Sequence, residues 1–482
     1  MALELLGSRV LAPSYGSSIY VWGALITVFL TALSVGYLLG GRLADRRPQM
    51  SVLSVILSVA AVLILPTVQW STALLQRLHE QAWDARWTAL LAAVLLFLAP
   101  SVAIGMVSPF AVRLAAPRLE GLGKAAGGYS ALSTAGSIAG TLLTAFVLIP
   151  SVDVRTLLVM LAGTLALCAL VLMRNRASLV IGVLACIVCG TVGFSPAGGQ
   201  ADLARTLLYK DTAYHHIVVS QVDEARYLRF DNLIQGGISL KDPNRPLFSF
   251  EEGFFMPWAV RPGIRTVCQI GLGTGSFPRV LTRLVPDATV DSVEIDPVVA
   301  RVAREYFQYR ESPRHRTAIA DGRMFLTQPG PPYDLIILDA FNSTGTPFHL
   351  TTREFFTTVR GRLTPDGVFA ANFIGSLMGR DARLFWAAYR TIRRQFGQVY
   401  LMNADVAAGR TSFRGNMLLI ATVSGDPMIP ATLLRNAERL RQEWGLRGLS
   451  LYAAAMVHSP EPPDGVPELL DAHAPVEALQ HF

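Results

Sequence analysis

The stretch Thr266-Val267-Cys268-Gln269-Ile270-Gly271-Leu272-Gly273-Thr274-Gly275-Ser276 runs from a short β-rich segment straight into three alternating glycines. A strand that ends this way predicts a tight turn where the backbone can approach a ligand, with a helix opening at Ser276. The spacing is G-x-G-x-G rather than the G-x-G-x-x-G of dinucleotide binders. The next β-rich run ends in Val293-Glu294-Ile295-Asp296, and Glu294 lies 23 residues beyond Gly271. A carboxylate at the tip of a second strand is placed to accept both hydroxyls of a ribose.

Outward from this core, strands are expected at 266–270, 290–295, 316–320, 333–339, 367–373, 399–403 and 416–423. Helical stretches fall at about 276–285, 297–308, 352–362 and 380–396. Such alternation predicts a mostly parallel sheet covered on both faces, with the last two strands as an antiparallel pair at one edge. The third strand ends in Ala320-Asp321-Gly322-Arg323, where Asp321 can meet an adenine amino group. The fourth ends in Leu338-Asp339-Ala340-Phe341-Asn342, which aims Asp339 into the crevice at the carboxyl edge. A lone aspartate at a strand end often only caps a helix. Four such motifs in order along one edge point to a pocket for an adenosyl ligand, held by Gly271, Gly273, Thr274, Gly275, Glu294, Asp321, Gly322 and Asp339. Before this sheet, His216–Ser220, Tyr227–Phe230 and Leu233–Leu240 read as short strands of a small antiparallel β-unit, with Asp231-Asn232 as a turn.

The rest of the chain is of another kind. Of 482 residues, 51% are hydrophobic and 16% charged, against about 25% charged in soluble domains. The apolar excess lies between residues 19 and 194. Six segments approach the roughly 20 apolar residues a membrane crossing needs: about 19–39, 51–69, 88–109, 126–149, 155–173 and 177–194. Gly127, Gly128, Gly136 and Gly140 suggest close helix packing in lipid. The net charge of +7 fits membrane topology better than nucleic-acid binding, since many arginines sit between apolar spans. Arg42, Arg46, Arg47, Arg113, Arg118, Lys124, Arg174 and Arg176 lie on one side. Only Arg9, Arg77, Arg86 and Arg155 lie on the other. The richer side should face the cytoplasm, so six full spans would put the second half on the opposite face. Cys168, Cys186, Cys189 and Cys268 lack the spacing of a metal site or disulfide framework. No cleavable signal peptide is expected, for want of a basic segment before a short apolar core.

The fold expected is therefore an α-helical transmembrane bundle followed by α/β, a Rossmann-like sheet preceded by a small amino-terminal antiparallel β-unit, and the resemblance given next implies that this sheet is of the methyltransferase type. The divisions are 1–194 for the membrane helices, 195–210 for a linker and 211–262 for the β-unit. The nucleotide-binding domain follows at 263–425, and a helical, Pro-rich tail at 426–482.

With these motifs in place, residues 211–425 resemble the spermidine synthase (polyamine aminopropyltransferase) family of the class I S-adenosylmethionine-dependent transferase fold. Thr212-Ala213-Tyr214-His215-His216-Ile217 and Leu228-Arg229-Phe230-Asp231-Asn232-Leu233-Ile234-Gln235 look like that family's amino-terminal strands. The opening Glu4-Leu5-Leu6-Gly7-Ser8-Arg9 and the loop Gly40-Gly41-Arg42-Leu43-Ala44-Asp45-Arg46 are similar to its membrane-fused branch. The resemblance implies decarboxylated S-adenosylmethionine or S-adenosylmethionine as co-substrate, no metal, and a diamine acceptor. It places Gln235, Glu294, Asp321 and Asp339 around nucleotide and amine. Departures stand out. Thr274 occupies the place of an Asp in the glycine turn, and Asn342 that of a second Asp. His215 replaces a Gln, and a Tyr-His-Glu segment is reduced to Phe250-Glu251-Glu252. A diammonium acceptor needs carboxylates to offset the desolvation of its charges. The adenosyl pocket thus reads as intact and the polyamine pocket as weakened.

The leading expectation is alkyl transfer from a sulfonium to an amine. Asp339 acts as general base, Tyr214 and Asn342 orient the amine, and Glu251 or Glu252 balances a distal charge, beside His215. The rivals are a methyltransferase, favoured by Thr274 because an Asp there would repel the donor's carboxylate, and a nucleotide or polyamine sensor coupled to a transporter-like membrane half. Expected partners are a polyamine-type small molecule, the lipid bilayer and a second copy of the chain, with no nucleic acid. The soluble half is placed on the cytoplasmic face, where adenosyl donors are made. The segment 177–194 is then re-entrant or interfacial. In the tail, a helix is expected at 430–444, and His473 reads as a surface-loop residue.

Overall fold

Strand propensity and glycine punctuation build the second half of the chain around one eight-stranded sheet. The computed structural model describes residues 1–15, 19–79, 85–116, 122–172, 176–194, 206–212, 214–231, 233–341, 345–379, 382–404 and 414–473. By its internal packing the chain divides into two compact units. One holds residues 1–204 and 210–216, the other 217–481 with 205–209.

The first unit is helical. Among the described residues five helices are long and apolar enough to cross a membrane: Tyr20–Arg46, Met50–Leu78, Arg86–Ala115, Ala126–Leu148 and Val154–Val171. The sixth expected segment is also a helix, Arg176–Phe194. Two expectations need correction. Gly40 to Arg46 is not a loop but the last turns of the helix Ile19–Arg46. Close packing does not fall at Gly127, Gly128, Gly136 or Gly140, where an added Cβ would meet nothing within 4 Å. It falls at Gly36 and Gly40. An added Cβ at Gly36 would lie 2.5 Å from the Val102 carbonyl oxygen, and at Gly40 2.5 Å from that of Met106. Small residues four apart let two helix backbones meet in this way.

The four-stranded sheet comprises β1 (Thr206–Asp211), β2 (His216–Val222), β3 (Ala225–Phe230) and β4 (Leu233–Ser239), in that order. Pairing is antiparallel from β2 to β3 and from β3 to β4. A strand beginning at Thr206 shortens the expected linker 195–210. Ile217, Val219, Leu228, Phe230 and Ile238 bury one face of this sheet against Val299, Val302 and Phe307. The larger sheet contains β5 (Thr266–Ile270), β6 (Thr289–Glu294), β7 (His315–Ile319) and β8 (Tyr333–Leu338). It continues with β9 (Leu363–Ser376), β10 (Gln398–Asn403), β11 (Arg414–Thr422) and β12 (Val457–His458).

Its order is β12-β10-β11-β9-β8-β5-β6-β7. Strands β5 to β9 pair in parallel, and β11 runs antiparallel to both β9 and β10. Chain order reverses between β5 and β8, so the crevice at their carboxyl ends is the switch point where ligands of such sheets bind. The β10–β11 pair is therefore as expected, but the edge beyond it is closed by β12 from the tail. The tail helix Pro430–Trp444 matches its expected span. The Pro-rich remainder adds a helix, Leu449–Ala455, whose Leu449 and Tyr452 are buried with Phe255, Trp258 and Trp444. Short helices at Ser249–Gly253, Pro257–Val260 and Gly322–Thr327 complete the second unit.

Candidate active site

The glycine turn is set by contacts that leave no room for a side chain. Gly271 has φ +95°, and a Cβ there would lie 2.2 Å from the Asp339 carbonyl oxygen. Gly275 has φ +70°, and its Cβ would strike the Tyr309 ring at 2.7 Å. Both demand a left-handed backbone as well as space. Gly273, at φ +55°, faces open space. Where the turn leaves β5 it is tied to both neighbouring strand ends. Gly271 N donates to Val293 O (2.8 Å), and Asp339 N to Ile270 O (2.9 Å).

Glu294 holds this turn from beneath. Its Oε2 accepts from Leu272 N (3.1 Å) and its Oε1 from Asp296 N (3.0 Å). Burial pushes the carboxyl up to about 6, while the amides of Asp296, Leu272 and Gly273 oppose that rise. Each carboxylate oxygen has a further lone pair. The residue therefore both shapes the loop and keeps acceptor capacity for a diol. Thr274 is buried, and its side chain lies against the place a Cβ would occupy on Gly236. That contact brings β4, and with it Gln235, to the glycine turn.

Asp339 is the tip of β8. Burial pushes it up to about 6, offset by Asn372, whose Nδ2 donates to Asp339 Oδ1 (3.2 Å) and to Asn416 Oδ1 (2.9 Å). Glu251 is a second buried carboxylate here. Burial drives it up to about 7, against the Phe248 amide, the Ser276 hydroxyl and the Arg279 guanidinium, while the Asp339 charge raises it further. Glu252 goes elsewhere. Its Oε2 accepts from Gly448 N (2.6 Å), and Arg245 lies 4.0 Å from its carboxylate. The structure thus separates two adjacent glutamates: Glu251 Oε2 accepts from Phe248 N (3.1 Å) and is buried within reach of the Asp339 charge, while Glu252 goes to the tail.

Asp321 caps the helix Gly322–Thr327 through Oδ1, which accepts from Met324 N (2.9 Å). Its Oδ2 accepts from His349 Nε2 (3.0 Å). A Cβ on Gly322 would lie 2.3 Å from Ile270 Cγ2, so this glycine lets the third-strand loop close onto β5. Tyr214 and His215 occupy a turn in the first unit, where the Thr212 hydroxyl accepts from both their amides (3.1 and 2.9 Å). Tyr214 is exposed and His215 buried. Asn342 lies outside the described residues.

Sequence reasoning missed Asn372, His349 and Arg279. Only Asn372 carried a local signal, as a polar residue inside the apolar run Phe369-Ala370-Ala371-Asn372-Phe373.

A switch-point glycine turn, an acidic second-strand tip and a buried acid at the fourth strand make the crevice at the carboxyl edge of this α/β sheet the candidate site. More particularly, residues 254–379 match the spermine/spermidine synthase domain family. The polyamine aminopropyltransferase of Vibrio vulnificus is 39% identical over 134 residues, 27% of this chain and 43% of that protein. An N-terminal histidine N-methyltransferase of Emericella nidulans is 29% identical over 239 residues, 45% of this chain and 42% of that protein. The chain thus spans under half the length of either relative. The structure of a probable spermidine synthase from Corynebacterium glutamicum aligns with a TM-score of 0.43 and 18% identity, over 58% of this chain and 98% of that one.

Proposed function

We propose that the chain is a membrane-anchored spermidine synthase-like transferase. It moves the aminopropyl group of decarboxylated S-adenosylmethionine to a diamine such as putrescine and releases methylthioadenosine. The observation that carries this reading is the buried carboxylate of Asp339 at the sheet's switch point, with a second buried carboxylate, Glu251, whose charge state it influences. A diammonium ligand needs more than one acid, and the sequence offered Glu251 or Glu252 for its distal charge. Glu251 supplies a second, and an arriving ammonium would favour its ionised form.

In the reaction, Asp339 takes a proton from the substrate ammonium and frees its nitrogen lone pair. That pair forms a bond to the propyl carbon next to sulfur. The carbon–sulfur bond breaks, its electrons return to sulfur, and the positive sulfonium becomes a neutral thioether. The glycine turn and Glu294 fix the adenosyl end, so the work of the site is alignment. Asn372 keeps one oxygen of Asp339 engaged and leaves the other for the amine.

Incubating the purified full-length protein with decarboxylated S-adenosylmethionine and putrescine should yield methylthioadenosine and spermidine in equal amounts. Bound nucleotide without methylthioadenosine would reject aminopropyl transfer. Thr274 is the observation favouring a second reading, methyl transfer from S-adenosylmethionine. Tighter binding of S-adenosylmethionine than of its decarboxylated form would select it.

A further inference from the structure

The tail residues beyond β12 contain a segment the proposed chemistry does not use. Val466 and Leu469 are buried in the core beneath β9 and the helix Ala382–Arg393. Leu469 N donates to Thr391 Oγ1 (3.0 Å), and Leu469 O accepts from Arg353 N (2.8 Å). Glu468 pairs with Arg394 at 2.6 Å. The segment is thus laced to two helices, and it ends on Asp471.

Asp471 is exposed to solvent yet held by several hydrogen bonds. Its Oδ1 accepts from Arg323 Nη1 (2.7 Å) and from Thr352 Oγ1 (2.7 Å), and Arg323 Nη2 donates to its Oδ2. Its own amide donates to Glu354 Oε2 (3.0 Å). A forked pair of this kind fixes the guanidinium in direction as well as place. Arg323 Nη1 also donates to the His349 carbonyl (3.2 Å), and His349 Nε2 donates to Asp321 Oδ2 (3.0 Å). Arg323 follows Asp321 by two residues on the helix that Asp321 caps. Two routes therefore run from Asp471 to Asp321, one along this helix and one through His349.

We infer that Asp471 is a positioning residue for the adenine end of the pocket, acting through Arg323 and His349 to set the carboxylate of Asp321. This rests on the reading of Asp321 as the group that meets the adenine amino group. Without the fork, the guanidinium releases the His349 carbonyl, and the ring no longer holds Asp321 Oδ2. What suffers is recognition of the base rather than of the ribose, which belongs to Glu294.

The test uses full-length protein in detergent with two probes, methylthioadenosine and methylthioinosine, which has a 6-oxo group in place of the 6-amino group. The wild-type chain should bind the amino compound at least tenfold more tightly. Asp471→Asn should cut that preference about tenfold, Asp321→Asn should do the same, and the double variant should lose no more than either alone. Arg323→Lys keeps the charge but lacks the fork, and should repeat the loss even if Asp471→Asn proves poorly folded. A general loss of packing would weaken both probes equally and leave their ratio unchanged. An unchanged ratio in Asp471→Asn and Arg323→Lys overturns the inference. A wild-type chain that binds neither probe overturns the adenosyl reading beneath it.

Discussion

Asp339 concentrates the conflict between stability and chemistry at a single residue. Its carboxyl sits at about 6 because burial disfavours the charge. The native state therefore holds this proton more tightly than the unfolded chain, and stability contributed by the neutral form is lost as pH rises through about 6. Asp339→Asn should accordingly stabilise the protein at pH 7.5, by on the order of 2 kcal/mol, while turnover falls about 10²- to 10⁴-fold. Thermal melts and methylthioadenosine release read the two effects separately, and a destabilised variant would contradict the first. The pair with Glu251 predicts the acid side of the pH profile. kcat/KM should decline as pH drops from about 7 to about 6, because protonated carboxyls neither take a proton nor hold an ammonium. Loss of the part of that limb near 6 in Asp339→Asn, with the part near 7 kept, is the check. Glu251→Gln should raise KM for the amine by tenfold or more, and adding Thr274→Asp should restore part of it by returning a charge to the glycine turn.

At the scale of elements, the glycine turn predicts its own fragility. Gly271→Ala would drive a methyl group into the Asp339 carbonyl at 2.2 Å and force a left-handed φ on a residue that resists it. Nucleotide binding should be lost while the helical unit is unaffected, as calorimetry and circular dichroism would report. The turn and the strand tips were legible in sequence because each is a local signal: a glycine where the chain must bend, a carboxylate where a strand stops. Asn372, His349 and Asp471 were not, since each acquires its meaning from a partner 28 to 148 residues away. β12 pairs only two residues with β10, too few for any periodicity to show. The helix packing was misassigned for a related reason. Glycines recur in both Ile19–Arg46 and Leu122–Leu143, and only the fold reveals which of them meets a neighbouring backbone.

For the whole molecule, the proposed membrane anchoring makes the side on which the α/β unit lies a matter of how many helices cross. Arg174 and Arg176 follow the fifth long apolar helix, on the side already rich in Arg42, Arg46, Arg47 and Arg113. We propose that the helix Arg176–Phe194 does not complete a crossing, which leaves the α/β unit in the cytoplasm with its donor. A reporter fused after Phe482 that fluoresces only when unexported should be bright; activity of a reporter that needs export would reverse the orientation. The strap around Asp471 bears on the timing of assembly. Under the proposed anchoring, the helices of the first unit enter the bilayer in the order the ribosome delivers them, long before residue 466 is made. A chain stalled a few dozen codons early would already be lodged in lipid, yet it would lack the closing strand of its sheet and the brace for its adenine edge. Under the proposed function, such an unfinished product would be inert until the strap was added.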